Sequence, residues 1–159
     1  MTSYIGVRLT DTYTAAQLTE RGFQAGQVHQ EPNGKKYKLY KFNNGVGNVA
    51  AVAGNFAYIY AVSGASAGET TEVTMDLTDT AGIGAGVFQS VPADGEYCWL
   101  QITGHATLTT ALTAGSDGNA LTPVGSSDGT VDVSALVTDH ICAIAVDASA
   151  KIVMLTCPE

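Results

Sequence analysis

The sequence predicts an all-β fold, an antiparallel β-barrel or sandwich that follows an N-terminal arm and a basic β-hairpin. A chain of 159 residues with 45% hydrophobic residues can bury the core of one domain. A helical period is hard to find, and short alternating segments are separated by turn signals about every ten residues, as in barrels and sandwiches. We therefore expect residues 1–45 to form the arm and hairpin, and residues 46–159 to form the barrel or sandwich body.

The predicted elements begin with one short helix. Thr14 and Gln17 fit a capping box and Gly22 can end the helix, so we expect helix from Thr14 to Arg21. From Gln27 onward the pattern predicts only strands. The predicted strands span residues 27–31, 36–42, 47–53, 56–63, 70–77, 85–91, 96–103, 106–112, 119–124, 130–134, 140–147 and 151–157.

Two segments, AYIYAVS and YCWLQIT, carry the strongest strand signal because they are rich in aromatic and β-branched residues. In the second segment Cys98, Leu100 and Ile102 share one face, and Trp99 lies on the other. We expect the first face to belong to the core. The residues predicted to be buried by period-two alternation are Leu100, Ile102, Ile144, Val146, Ile152 and Leu155.

The segment HQEPNGKKYKLYKF reads as a hairpin, because Pro32-Asn33-Gly34 supplies an Asn-Gly turn between two strand-like runs. Lysine and tyrosine alternate onto both faces of its second strand, so neither face is cleanly apolar. This composition predicts an edge, an arm or a contact surface. The competing interpretation is that the lysines only prevent aggregation at a sheet edge.

Charge is divided along the chain. Residues 1–41 carry six basic and three acidic residues, giving +3, whereas residues 42–159 carry one basic and twelve acidic residues, giving −11. An acidic body disfavours binding to nucleic acid and to anionic membranes. The sequence has no apolar run of membrane-spanning length and no signal-peptide order at its N-terminus, so we expect a soluble protein made in the cytosol.

Cys98, Cys142 and Cys157 are widely spaced and odd in number, which predicts free buried thiols and leaves a Cys98–Cys142 bridge as the alternative. Cys98 with His105 and Asp94 could form a nucleophile, a base and an orienting group. The position of Cys98 on a core-like strand disfavours this arrangement.

Two further motifs are also disfavoured as chemical sites. Residues 64–68, GASAG, match the nucleophile elbow G-x-S-x-G, but the following ETTEVTMDL alternates like a strand where that motif requires a helix. The aspartates 117, 128, 132 and 139 lack the spacing of a calcium loop, and the two SDG triplets suit tight turns. We therefore predict no catalytic residues, no cofactor and no metal site.

Three sets of residues resemble small phage virion proteins of the capsid decoration or cement class. The first set is Gly26, Val28, Asn33-Gly34 and the run from Tyr37 to Tyr40. The second is the pattern G-x-Y-x-W-x-Q-I-x-G-x-A-T from Gly95 to Thr107, and the third comprises GNALT, DGTVDV and ICAIAVDASAKIVML between Gly118 and Leu155. The resemblance implies a β-barrel or sandwich on the outside of a capsid shell, assembled in the host bacterial cytoplasm, without enzymatic activity.

The resemblance also implies the partners: the major capsid protein, and further copies of the chain as a homotrimer at local three-fold positions. Together with the charge division, it predicts that the basic hairpin and arm dock onto the capsid. The predicted capsid-binding residues are Arg8, Arg21, Lys35, Lys36, Tyr37, Lys38, Tyr40, Lys41 and Phe42. The alternative is a fibre, tail or cell-surface module that binds carbohydrate or a host protein through aromatic residues such as Tyr58 and Tyr60.

Overall fold

A computed structural model describes residues 6–61 and 71–159 of the chain, which are mostly strands. The predicted all-β class is confirmed. The elements of the described residues are β1 (Thr12–Tyr13), α1 (Ala15–Arg21), β2 (Val28–Gln30), β3 (Lys36–Phe42), β4 (Phe56–Tyr60), β5 (Glu72–Thr74), a 3-10 turn (Leu77–Asp79), β6 (Thr80–Phe88), β7 (Tyr97–Thr107), β8 (Ala120–Thr122), β9 (Asp132–Val133), β10 (Ala143–Asp147) and β11 (Ile152–Thr156).

Five strands close into a barrel in the order β3, β5, β4, β6, β7, and β7 pairs back to β3. Four of the five pairings are antiparallel, and β3 runs parallel to β5. Closure leaves no free edge within this ring. The barrel prediction is confirmed, but the parallel pair was not foreseen, because alternation along a strand carries no information about the direction of its neighbour.

The barrel interior is packed with large side chains. Tyr40 and Phe42 enter it from β3, and Phe42 meets Phe88 edge to face with ring centroids 5.6 Å apart. Leu100 and Ile102 enter from β7, as the alternation predicted. Other large buried residues of this core are Phe56, Tyr58, Val73, Val87, Leu108 and Leu121.

β7 extends beyond the barrel and recruits a second set of strands. Its C-terminal half pairs with β11, and β10, β8 and β9 follow in that order. We call β11, β10, β8 and β9 the sheet extension. Its inner side packs on the barrel through small and branched residues, including Ala143, Ala145, Val153 and Leu155.

Residues 6–23 lie on the outer side of β3 and β7, and we call them the N-terminal layer. β1 pairs with the start of β7, and α1 follows it. The capping box of Thr14 and Gln17 and the left-handed Gly22 cap are both present, so the predicted helix is confirmed. Tyr13, Leu18, Tyr37, Leu39 and Trp99 form a second small core between this layer and the barrel.

The predicted basic hairpin exists but is not an arm. Gly34 has φ of 85° in the Asn-Gly turn, and β2 pairs with β3 as expected. β3, however, is a full member of the barrel, with six paired positions on β7. Since one core contains residues from both sides of position 45, the proposed boundary between 45 and 46 does not separate two packing units.

Three other expectations are corrected by the structure. Residues 47–53 form turns and irregular chain, and residues 106–107 end β7, so no separate strand spans 106–112. Ile144 and Val146 are 42% exposed, because β10 turns its small residues Ala143 and Ala145 inward. Of the six predicted core residues, Leu100, Ile102 and Leu155 are buried, and Ile152 is half-buried.

Candidate protein-binding surfaces

The aromatic residues expected to dock onto a capsid are inside the protein. Tyr40 and Phe42 lie in the barrel core, and Tyr37 lies under the N-terminal layer. Burial, with the nearby carboxylate of Glu31, raises the pKa of Tyr37 to about 12. The expectation that these three rings form part of an exposed contact surface is therefore corrected: they are buried within the chain itself.

Lys38 is also buried, on the barrel side of β3. Its ammonium lies 5.2 Å from the centroid of the Tyr40 ring. Burial lowers the pKa of Lys38, and the charge of Glu159 partly opposes that change. Lys38 belongs to the interior of the barrel mouth and not to a basic surface.

Two of the remaining lysines are already paired with acids of the same chain. Lys36 forms an ion pair with Glu159, and the Lys41 ammonium lies 3.4 Å from a carboxylate oxygen of Glu72. Each pair reduces the positive charge available to a partner. The lysines of β3 do not form one continuous basic patch.

Arg8 and Arg21 are exposed residues of the N-terminal layer, and both contact Tyr13, Arg8 through its backbone carbonyl. The Arg21 guanidinium stacks 5.3 Å from the centroid of the Tyr13 ring, and the Tyr13 hydroxyl donates to the Arg8 carbonyl at 3.3 Å. Lys41 lies in the same cross-strand row, since both Tyr13 and Lys41 pair with Tyr97. Of the predicted docking residues, Arg8 and Arg21 are the two that are exposed.

The outer side of the sheet extension carries several exposed or half-buried apolar side chains, and we call it the open face; Asp132 and Asp147 lie on the same side. Ile144 pairs with Met154 and with Ala120, and Met154 pairs with His105, so these four side chains form one row. Val146 and Ile152 continue the surface towards the end of β10. Four apolar side chains, those of Ile144, Val146, Ile152 and Met154, thus lie on a side of the sheet that solvent reaches.

A groove of about 790 Å³ borders the open face where β7 meets β6 and β11. Val87 and Phe88 contribute to it from β6, and Val146 and Ile152 line its other side. Lys35 and His105 are the titratable residues that line it. The groove is thus mainly apolar and carries no carboxylate among its lining residues.

The loop between β9 and β10 presents two aliphatic side chains to solvent. Leu136 is 63% exposed and Val137 is fully exposed. The Asp139 carboxylate accepts hydrogen bonds from the Ser134 hydroxyl at 3.2 Å and from the N–H groups of Ala135 and Leu136 at 3.0 and 2.9 Å. We call residues 134–139 the loop tip. The sequence analysis did not predict this feature. Its signal in the sequence is the apolar triplet Ala-Leu-Val between Ser134 and Asp139.

The candidate nucleophiles are poorly placed for chemistry. Cys98, Cys142 and Cys157 are free and buried, and burial raises the pKa of all three thiols, that of Cys142 to about 12. Cys98 and His105 lie seven residues apart on β7, which is about 23 Å along a strand. The arrangement of Cys98, His105 and Asp94 considered from the sequence does not assemble, and the Cys98–Cys142 bridge does not form.

The aspartates of the turns have structural partners. Asp117 accepts from the Ala148 N–H at 2.8 Å, and Asp128 accepts from the Leu77 N–H at 2.9 Å. Across residues 6–61 and 71–159, no group of three or more His, Cys, Asp or Glu side chains could hold a metal ion. The GASAG motif at residues 64–68 lies outside the described residues.

The aromatic pair suggested for sugar binding is also not available. Tyr58 is fully buried in the barrel core, and its hydroxyl donates to the carbonyl oxygens of Ser127 and Thr130. Tyr60 alone reaches the surface, where it is half-buried. Stacking of a sugar on a Tyr58–Tyr60 platform is therefore excluded.

Comparisons of the chain with protein-family models, with curated proteins and with solved structures gave no significant match. In the part of the chain that the structure describes, no helix is long and apolar enough to cross a membrane.

Proposed function

We propose that this protein is a virion structural protein that binds the outer surface of a phage capsid and stabilises the shell, as decoration or cement proteins do. In this proposal it has no enzymatic activity and no cofactor. Its partners are the major capsid protein and further copies of itself, in the homotrimer at local three-fold positions that the resemblance implies. It is assembled in the host bacterial cytoplasm and resides on the capsid exterior.

The observation that carries the proposal is the separation of two exposed arginines on the N-terminal layer from the apolar side chains of the open face. Arg8 and Arg21 are exposed on the N-terminal layer, whereas the open face lies on the sheet extension. A protein that adheres both to a shell and to its neighbours requires two such surfaces with different chemistry. The rigid closed barrel between them supplies a fixed geometry.

The capsid-facing surface in this proposal is the N-terminal layer around Arg8 and Arg21, with Lys41 beside it. Lys36 and Lys41 are paired with acids of the same chain and Lys35 lines the groove, so these three lysines contribute less to this surface. Four of the residues predicted from the sequence to bind the capsid are buried, and in this proposal they act only by holding β3 in the barrel: Tyr37, Lys38, Tyr40 and Phe42. Individual exposed ion pairs contribute little, about 0.2–1 kcal/mol each, so capsid binding should depend on several basic residues together.

The test is co-sedimentation with expanded, undecorated heads of the phage that encodes the protein. We expect the wild-type chain to bind at saturable occupancy and the double variant Arg8→Gln, Arg21→Gln to bind at least about tenfold more weakly at moderate salt. The matched control is Ala114→Glu with Ala150→Glu, which changes the net charge by the same −2 at exposed positions elsewhere.

The control should retain wild-type occupancy. Wild-type protein that fails to bind the heads would overturn the proposed function. Equal weakening by the double variant and its control would show that total charge, and not the N-terminal layer, governs binding.

A further inference from the structure

The loop tip is an apolar projection with a fixed conformation. Three hydrogen bonds converge on one oxygen of Asp139, and the Asp139 N–H donates back to the Leu136 carbonyl at 3.1 Å. This arrangement leaves Leu136 and Val137 exposed to solvent on a turn that four hydrogen bonds hold together. Exposed aliphatic residues on a constrained turn are well suited to insertion into a partner, because little conformational entropy is lost on binding.

The groove beside β7 has the complementary properties. Its volume of about 790 Å³ is sufficient for two aliphatic side chains and part of a turn, since pockets for small ligands span about 300–1,000 Å³. Its walls include Ala53, Val87, Val146 and Ile152. These four side chains are apolar and can contact a branched aliphatic side chain, and the polar residues Lys35, Gln89, Gln101 and His105 complete the lining.

The charges at the two sites are also complementary. Asp139 is the titratable residue among those around the loop tip, and Lys35 and His105 are the titratable residues that line the groove. A tip that enters the groove would bring its carboxylate towards a lysine and a histidine. Electrostatic complementarity of this kind determines the register of an interface.

The two sites cannot meet within one chain. The loop tip leads into the start of β10, whereas the groove reaches β10 only at Val146, near the opposite end of that strand, and its other walls include residues of β6, β7 and β11. Paired β10 therefore holds the loop tip and the groove at opposite ends, and Ala143 and Val146 alone are about 10 Å apart along the strand. The occupant of the groove must therefore come from another molecule.

We propose that the loop tip of one copy inserts Leu136 and Val137 into the groove of a second copy, with Asp139 of the first facing Lys35 and His105 of the second. The contact uses two different surfaces, so it is heterologous, and it builds a ring where the rotation closes and a chain where it does not. This inference deepens the self-association contained in the proposed function, but it does not depend on capsid binding.

The experiment uses the full chain in solution without capsids. Sedimentation velocity over a concentration series measures association of the wild type, of a tip variant (Leu136→Ser, Val137→Ser) and of a groove variant (Val146→Glu). We expect concentration-dependent oligomers of the wild type and at least about a tenfold increase in dissociation constant for each variant. The controls are Val46→Ser and Val124→Glu, which alter exposed valines outside both sites and should associate like the wild type.

Mixing the two variants gives the sharpest result. The tip variant retains an intact groove and the groove variant retains an intact tip, so an equimolar mixture should form a one-to-one dimer and stop there. Each variant alone should remain monomeric at the same concentration. Circular dichroism of both variants establishes that they are folded before mixing.

A wild type that stays monomeric at every concentration would overturn the inference, as would variants that associate like the wild type. A mixture that fails to form the dimer would also overturn it, because a heterologous contact must be rescued by complementary partners. Since no capsid is present, these outcomes leave the test of capsid binding separate. Loss of head binding with the oligomer intact would concern only the proposed function.

Discussion

The two halves of β7 differ in whether other parts of the chain cover their outer side. In the first half, Cys98, Leu100 and Ile102 face the barrel core, and Tyr97 and Trp99 face the N-terminal layer. In the second half, Ala106 faces inward while His105 and Thr107 are exposed. The chain covers the outer surface of the first half with its own residues and leaves that of the second half uncovered.

This difference shows that the burial of an outward-facing side chain depends on which other residues pack against that side of the sheet. Trp99 and Ile144 are both apolar residues on outward-facing positions of the sheet. Phe23 packs edge to face against Trp99 with ring centroids 6.1 Å apart, whereas Ile144 remains 42% exposed. The covered half therefore contributes to stability, and the uncovered half with the sheet extension is available for association.

The largest expected effect lies in the covered half. Trp99→Ala should reduce the free energy of unfolding by about 3–5 kcal/mol, because it empties the centre of the second core. Urea denaturation followed by circular dichroism measures the change. His105→Ala on the uncovered half is the matched control and should change stability by no more than about 0.5 kcal/mol; similar losses for both variants would contradict the comparison.

A smaller effect is expected from a pH titration of Tyr37, which lies in the second core beneath the N-terminal layer. The pKa of Tyr37 is raised to about 12 by burial and by Glu31, above the ordinary value of 10.0. A raised folded-state pKa contributes stability that is complete below pH 10 and is lost as the pH rises through about 12. We expect a loss of about 1–2 kcal/mol across this window from this residue.

The measurement is the urea midpoint between pH 9 and 12, with tyrosinate absorbance recorded in parallel. Tyr37→Phe should remove the part of the alkaline destabilisation that comes from this residue. Identical pH profiles for the wild type and Tyr37→Phe would show that the N-terminal layer does not exclude solvent from the ring.

The helix cap tests how firmly the N-terminal layer is held. Thr14→Ala removes the side-chain acceptor for the Gln17 N–H and should cost about 0.5–2 kcal/mol of stability. Thr19→Ala, within the same helix and away from its N-terminus, serves as the control and should be nearly neutral. If Thr14→Ala is also neutral, α1 is held by Leu18 and Tyr13 packing alone.

The smallest effect on stability belongs to the open face. Ile144→Thr should change the free energy of unfolding by less than about 0.5 kcal/mol, because the side chain is already partly in water. Ala145 is the buried neighbour of Ile144 on the same strand. The substitution Ala145→Val should lower the free energy of unfolding by about 1–3 kcal/mol, because it overpacks the core. Thermal denaturation of both variants compares the two sides of β10. A larger loss of stability for Ile144→Thr than for Ala145→Val would contradict the assignment of Ala145 to the core side.

Local features of the fold were predictable from sequence because they depend on neighbouring residues. The Thr14 and Gln17 capping box, the Gly22 cap and the Asn33-Gly34 turn all form where the pattern places them. β3 has the predicted bounds of 36–42. The candidate site was less predictable, because Tyr37, Tyr40 and Phe42 were assigned to a surface that the fold buries.

The sequence by itself determined the β class, the helix, the turns and the period-two division of each strand into two faces. Only the tertiary structure decided which face is covered. Period two divides the residues of β3 and of β10 between two faces, but burial depends on partners remote in sequence, such as Phe23 against Trp99 and β5 beside β3. Closure of the barrel around Tyr40 and Phe42, and the open face beside the groove, follow from those long-range contacts, which no local pattern encodes.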